Sequence, residues 1–390
     1  MTAAVHDLAW MQAAENDHQV TLYAKRDIAL VRGEGSYLYD SDGKRYLDAM
    51  SNYGVASLGH AHPEYTAAVT EQLGRLTTCH QSFFNDARAE FLAAIIATAP
   101  AGITRAFLSN SGAEAIEAAL KFARAMTGRT KFVALKRAYH GRTLGALAVT
   151  HDPKYRGPFE PLFPEAAHIG ANDLEALDAA IGDETAAVIL EPIQGEAGIY
   201  PLSEEFLQAA RRLTAERGAL LIADEIQSGF RTGRPWAITH AGVSPDMLVT
   251  AKAVANGFPI GVTLTNEAIG AGMPGGAHGS TFGGNPLACA AGVATLKVLE
   301  GRYAANAALG QDIVAGIEAL NSPKIRAVRG RGLMMGVELK ERVTPTLRAL
   351  QDRGILVLPA GALVFRLLPP LIWERQQAEE LLAGLQAVLA

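Results

Sequence analysis

The chain has 390 residues, 49% of them hydrophobic and 19% charged, which suits two or three domains around a large core and excludes disorder. Lys plus Arg number 35 against 40 for Asp plus Glu, and a formal net charge of −5 lacks the basic footprint of a nucleic-acid binder. Cys79 and Cys289 stand far apart with no pair or ligand spacing, so neither a disulfide framework nor a metal site is expected.

In chain order, residues 1–27 read as an entry arm with one short helix. The first 20 residues lack a basic start and an apolar block, so a cytoplasmic protein without a secretory signal is expected. Residues 28–48 form a small meander with turn chemistry at Asp40-Ser41-Asp42-Gly43. Helical stretches follow at 63–76 and 85–99. From residue 105 the pattern becomes strand, loop, helix, repeated: strand 105–108, an Ala-rich helix 111–126, strand Lys131–Leu135, strand 186–190, and a helix 203–217 capped by Ser203. Residues 219–223 are a fully apolar run, hence a buried strand, and Met247–Thr250 is another. A helix opens at Pro286 and runs to Leu299. Beyond about residue 322 the chain reads as strand 333–339, a helix, strands 355–358 and 363–367, and a last helix, which makes a smaller α+β domain. The apolar stretch 355–373 holds Pro359, Arg366, Pro369 and Pro370, so it suits buried strands and turns and not a membrane span. The alternation predicts a mostly parallel sheet covered by helices on both faces.

Three motifs at strand ends carry chemistry. Ser109-Asn110-Ser111-Gly112-Ala113-Glu114 joins a strand to a helix with capping-box spacing between Ser111 and Glu114. Its first helical N–H groups favour an anion, most simply a phosphate, although an ordinary capped helix has the same pattern. Asp224 ends the apolar run 219–223, where a carboxylate is costly unless it meets a cation or a strong donor. A protonated pyridine nitrogen and a structural arginine or amide both fit. Lys252 follows the next buried strand, placed either as a desolvated amine nucleophile or as a lysine snorkelling from a strand end. Together the three supply what pyridoxal phosphate needs: a phosphate cup, an acid for the ring nitrogen and an amine for the aldehyde.

With these motifs in place, the sequence resembles the class III (ω-amino acid) aminotransferases of fold type I, and within them the acetylornithine and carrier-protein-linked lysine (aminoadipate semialdehyde) transaminases. The resemblance runs from about residue 20 through segments 110–121, 139–143, 191–198, 224–229, 251–261, 279–286 and 365–371. It implies an α/β fold with a large, mostly parallel seven-stranded sheet and a smaller α+β domain. The division would be an N-terminal arm and small-domain segment at 1–60, a large cofactor-binding domain at 61–300 and a C-terminal small domain at 301–390.

The resemblance also implies residue roles. Lys252 would bind the cofactor aldehyde and shuttle the proton; Asp224 would pair with the ring nitrogen, Gln227 with the phenolic oxygen. Ser111, Gly112 and Ala113 would hold the phosphate, and Tyr139 would stack on the ring, where many relatives carry Phe. Thr281 of the partner subunit would add a hydroxyl, so a homodimer with shared sites is implied, with Ser280 near the substrate. Arg142 would grip a substrate carboxylate, and Arg366 the α-carboxylate of glutamate or 2-oxoglutarate, with Glu196 as a gate. The implied reaction exchanges a terminal amino group with 2-oxoglutarate or glutamate in arginine or lysine synthesis. Other members, such as 4-aminobutyrate or succinylornithine transaminases, share the reacting end, and a non-catalytic binding protein is opposed by the intact Lys252 and Asp224. The run Val254-Ala255-Asn256-Gly257 departs from the glycine-rich loop usual after the lysine. An acidic amino-group carrier is a further implied partner; Lys136, Arg137, Arg231 and Arg234 are cations that could greet one, although a solvated face accounts for them better. Gly330-Arg331-Gly332 is a loose dinucleotide-like match, discarded because a strand and not a helix follows it.

Overall fold

A computed structural model describes residues 6–390. Seven strands build the main sheet, in the spatial order Ile103–Ser109, Gly261–Asn266, Met247–Thr250, Leu220–Asp224, Thr185–Leu190, Lys131–Leu135, Ala166–Ile169. Gly261–Asn266 runs antiparallel to both its neighbours, and every other pairing within the sheet is parallel. This is the expected fold class.

Side chains alternate along each strand, so the sheet feeds two cores. Phe132, Ala187, Ile189, Ile222 and Val249 pack under the helix Gly112–Thr127, which offers Ile116, Ala119 and Phe122. On the other face Val133, Val188, Leu221 and Leu248 share a core with Phe206 and Leu213 of the helix Glu204–Glu216 and with the helix Pro286–Leu299. Continuous apolar runs such as Thr185–Leu190 are buried throughout because helices cover both faces.

The meander is present as Leu30–Glu34, Tyr37–Asp40 and Arg45–Asp48, and Asp40 Oδ1 accepts the N–H groups of Asp42 and Lys44 at its turn. Its third strand pairs in parallel with Ile355–Leu356, so the two ends of the chain share a sheet. A separate sheet, in the order Ile325–Arg331, Met334–Leu339, Val364–Leu367, Leu358–Ala360, carries Arg366. Gly330-Arg331-Gly332 lies where the first two of those strands turn back on each other, and Arg331 pairs with Met334.

Several elements escape the sequence reading, among them Ala166–Ile169, the helix Leu174–Ala180, Gly261–Asn266, the helix Tyr303–Ala319 and the strand Ile325–Arg331. One expectation is overturned. Arg231 is fully buried and donates to the carbonyl oxygens of Gly54, Leu333 and Pro369 at 3.0, 3.1 and 3.3 Å, so it cannot greet a partner at the surface. Burial pulls its guanidinium down to about 10, still charged at neutral pH. It ties together three segments remote in sequence. Arg231→Met should therefore lower stability by about 3 kcal/mol or more, because three buried acceptors lose a charged donor. Thermal and urea midpoints of the variant measure this.

Candidate active site

The carboxyl ends of the parallel strands converge on a cavity of about 620 Å³. In doubly wound sheets this edge is where ligands bind. Asp224 is the last residue of Leu220–Asp224, and its strand neighbour Val249 lies three residues before Lys252. Both side chains line the cavity.

Asp224 is 3% exposed. Its Oδ1 accepts the N–H of Ile226 at 3.0 Å, and its Oδ2 lies 2.7 Å from His140 Nδ1. The His140 Nε2 is buried without a partner. His140 lies within the segment 139–143, but nothing in the sequence points its ring at Asp224.

Lys252 begins a 3₁₀ turn, Lys252–Ala255, with a left-handed backbone at φ +40°. For a non-glycine residue that conformation costs about 1–3 kcal/mol, so the surroundings must hold it. They do so through the turn: Ser57 Oγ donates to Ala253 O at 2.7 Å, and Asn256 accepts from Leu58 N at 2.8 Å while donating to Gly59 O. The departure at Val254-Ala255-Asn256-Gly257 thus supplies a bracing amide. Burial pulls the Lys252 amine below the usual lysine range, with Glu196 opposing the fall and Arg366 adding to it.

At the start of Gly112–Thr127, Ser111 Oγ accepts the N–H of Glu114 at 3.2 Å. The Glu114 carboxylate reaches Asn110 N, one residue before the cap, in place of the reciprocal bond that the spacing suggests. Gly112 is tightly packed: a Cβ there would lie 2.9 Å from Ile226 Cδ1, which would have to shift to admit it. Ser111, Gly112 and Ala113 all line the cavity, with their end of a 16-residue helix directed at it.

Tyr139 and Arg142 enter from the loop after Lys131–Leu135. Tyr155 meets Tyr139 edge-on at 5.7 Å, and the Arg142 guanidinium lies 4.7 Å from the Tyr155 ring centre. On the opposite side Arg366 forms a bidentate pair with Glu196, Nη1 to Oε1 at 2.7 Å and Nη2 to Oε2 at 2.8 Å. Arg366 Nη1 also donates to Gln227 Oε1 at 3.0 Å, and Gln227 Nε2 donates to Glu196. Burial pushes the Glu196 carboxyl up, yet Arg366 outweighs it and holds the group below the usual range.

Glu196 and Gln227 line the cavity, while Arg366 sits behind them, its side chain 1% exposed. Ser280 and Thr281 do not line the cavity of their own chain. Ser280 accepts from Asn110 Nδ2 at 3.1 Å, and Thr281 is exposed. Lining residues that sequence reasoning missed are Tyr23, Tyr53, Tyr155 and Glu191. The Glu191-Pro192 break after an apolar strand was a usable signal for the last. Tyr53 stands in a run of left-handed residues, Ser51 to Tyr53, that only the backbone reveals.

The class-III aminotransferase family model matches residues 21–389. The chain is a class III aminotransferase. The aminotransferase is 47% identical to the [LysW]-aminoadipate semialdehyde transaminase of Deinococcus radiodurans, over 97% of this chain and 90% of that protein. It is 43% identical to the acetylornithine aminotransferase of Methanopyrus kandleri, over 95% and 97% of the two chains. Among solved structures it superposes on the ornithine aminotransferase of Toxoplasma gondii with a TM-score of 0.94, at 31% identity over 98% of this chain and 94% of that one. The acetylornithine aminotransferase of Elizabethkingia anophelis gives 0.87 at 30% identity, over 99% of each chain.

Class III aminotransferases use pyridoxal 5′-phosphate, and the cavity of this aminotransferase fits that group. A buried amine, a buried carboxylate held by His140 and a helix N-terminus face one space, which suits an aldehyde, a ring nitrogen and a phosphate respectively. No helix among the described residues is long and apolar enough to cross a membrane.

Proposed function

We propose that the enzyme exchanges the terminal amino group of N-acetylornithine or of a carrier-protein-linked lysine with 2-oxoglutarate and glutamate, in arginine or lysine synthesis in the cytoplasm. The observation that carries this reading is the bidentate Glu196–Arg366 pair in the cavity wall. An enzyme that accepts both a terminal amine and an α-amino acid needs an α-carboxylate clamp that can be covered, and a paired Glu196 covers Arg366. Arg142, held against Tyr155, is left to grip the distal carboxylate of the longer donor.

When bound, pyridoxal phosphate supplies an electron sink for the charge left when the substrate α-proton departs. The protein does the rest. Lys252, whose amine burial favours in the neutral form, would take that proton and return it on the cofactor side. Asp224, oriented by His140, would offer a carboxylate oxygen to the ring nitrogen. Gln227 would turn its amide from Glu196 to the phenolic oxygen, Tyr139 would stack on the ring face, and Ser111, Gly112 and Ala113 would present hydroxyl and N–H donors to the phosphate.

We read the working unit as a homodimer, with Thr281 of the partner subunit completing the phosphate site and Ser280 near the substrate. The exposed Phe282 beside Thr281, together with exposed Phe83 and Phe84, supports that reading, since such rings are normally covered. The large domain at 61–300 would then carry the cofactor and Glu196, and the segment 301–390 would carry Arg366, the other half of the gate. Lys136, Arg137 and Arg234 remain exposed and available to an acidic carrier.

The names of the relatives favour these two donors over 4-aminobutyrate. With a donor panel that includes purified carrier-linked lysine, kcat/KM for N-acetylornithine or the carrier-linked donor should exceed that for 4-aminobutyrate by about 100-fold. Equal rates across the panel would defeat the assignment.

A further inference from the structure

Glu191 follows the strand Thr185–Leu190 and is 5% exposed. Its two oxygens reach two different loops. Oε1 accepts the N–H of Tyr139 at 2.9 Å, and Oε2 accepts the N–H of Gly195 at 3.0 Å. The first loop carries the cavity aromatic. The second carries Glu196, the residue next to Gly195, in its pair with Arg366.

Gly195 has little room to move where it stands. A Cβ on it would lie 2.1 Å from Gln227 Oε1, the same oxygen that accepts from Arg366. The backbone N–H of Gly195, the Gln227 amide and the Glu196 carboxylate therefore form one packed unit, anchored from below by Glu191.

We infer that Glu191 is a positioning residue that sets how readily Glu196 leaves Arg366, and so how turnover divides between α-amino and terminal-amino donors. The inference rests on the gate reading given above. Releasing Arg366 requires the backbone at 195–196 to yield. An N–H to carboxylate bond is about twice as strong as a neutral one, so the bond from Gly195 favours the covered arrangement. Burial and the neighbouring Asp224 push the Glu191 carboxyl up, while the charge it carries favours the protonated form of the Lys252 nitrogen.

Two substitutions separate reach from charge. Glu191→Gln keeps the length but loses the charge and sets an amide NH₂ against one of the two N–H donors. Glu191→Asp keeps the charge but is a methylene too short to span both loops. In the holoenzyme, single-turnover half-reactions with glutamate and with N-acetylornithine give a ratio of kcat/KM values. Both variants should move that ratio about fivefold or more toward glutamate. Only Glu191→Gln should also lower the pH midpoint of the visible absorbance of the holoenzyme, which a purely structural role would not move. Should the glutamine variant fail to fold, the aspartate variant carries the ratio test alone.

Glu196→Ala is the control. If it shifts the ratio while both Glu191 variants stay within about twofold of wild type, the role of Glu191 is overturned and the gate survives. If Glu196→Ala leaves the ratio unchanged, the gate reading itself falls and this inference falls with it.

Discussion

Lys252→Ala should lower kcat for both half-reactions by about a thousandfold or more while the protein still takes up pyridoxal phosphate without a covalent bond. The size follows from two tasks meeting on one nitrogen: attachment of the cofactor aldehyde and transfer of the proton. Retention of the cofactor follows from the helix start at Gly112 and from Asp224, neither of which touches the substitution through the covalent link. Hydride reduction of the wild-type holoenzyme, followed by peptide mapping, should place the label at position 252, and the variant should yield none. Lys252→Arg should be nearly as impaired, since a guanidinium stays protonated and cannot serve as the base. Turnover near the wild-type rate in the alanine variant would assign the proton transfer to another group.

Arg366→Ala should damage the glutamate half-reaction by about 100-fold or more and the terminal-amine half-reaction much less, because only the first uses the clamp. The loss reflects a bidentate, buried donor with two oxygens of Glu196 on it at 2.7 and 2.8 Å. The variant also strands Glu196. With Arg366 gone, burial is opposed only by Lys252 and Gln227, and the carboxyl should rise. The acid limb of the pH profile of the terminal-amine half-reaction should then move to higher pH than in the wild type. Equal losses in both half-reactions would contradict the gate.

The central chemistry was legible because it breaks a pattern. The buried strand Leu220–Asp224 ends in a carboxylate, and the lysine follows another strand buried along its length, Met247–Thr250. Physical cost makes such residues conspicuous. The strand Gly261–Asn266 was not legible, since the turn before it holds Gly257, Phe258 and Pro259, and two of its residues are threonines. Those threonines are nonetheless buried, and Thr263 finds the carbonyl of Ala115 at 2.8 Å. Arg231 was misread for a related reason. Charge alone suggests a solvated side chain, and the three carbonyls that accept its N–H groups belong to Gly54, Leu333 and Pro369, which no local window contains. The Glu196–Arg366 pair spans 170 residues and came only from the resemblance, which local spacing could not have supplied.

The parallel pairing of Arg45–Asp48 with Ile355–Leu356 bears on how the molecule is made. During translation the opening meander must wait, unpaired along that edge, until Ile355–Leu356 has left the ribosome. The large sheet can form beforehand, whereas the cover over Arg366 cannot. A nascent chain stalled before residue 355 should bind little substrate, and it should present an unmet strand edge to chaperones.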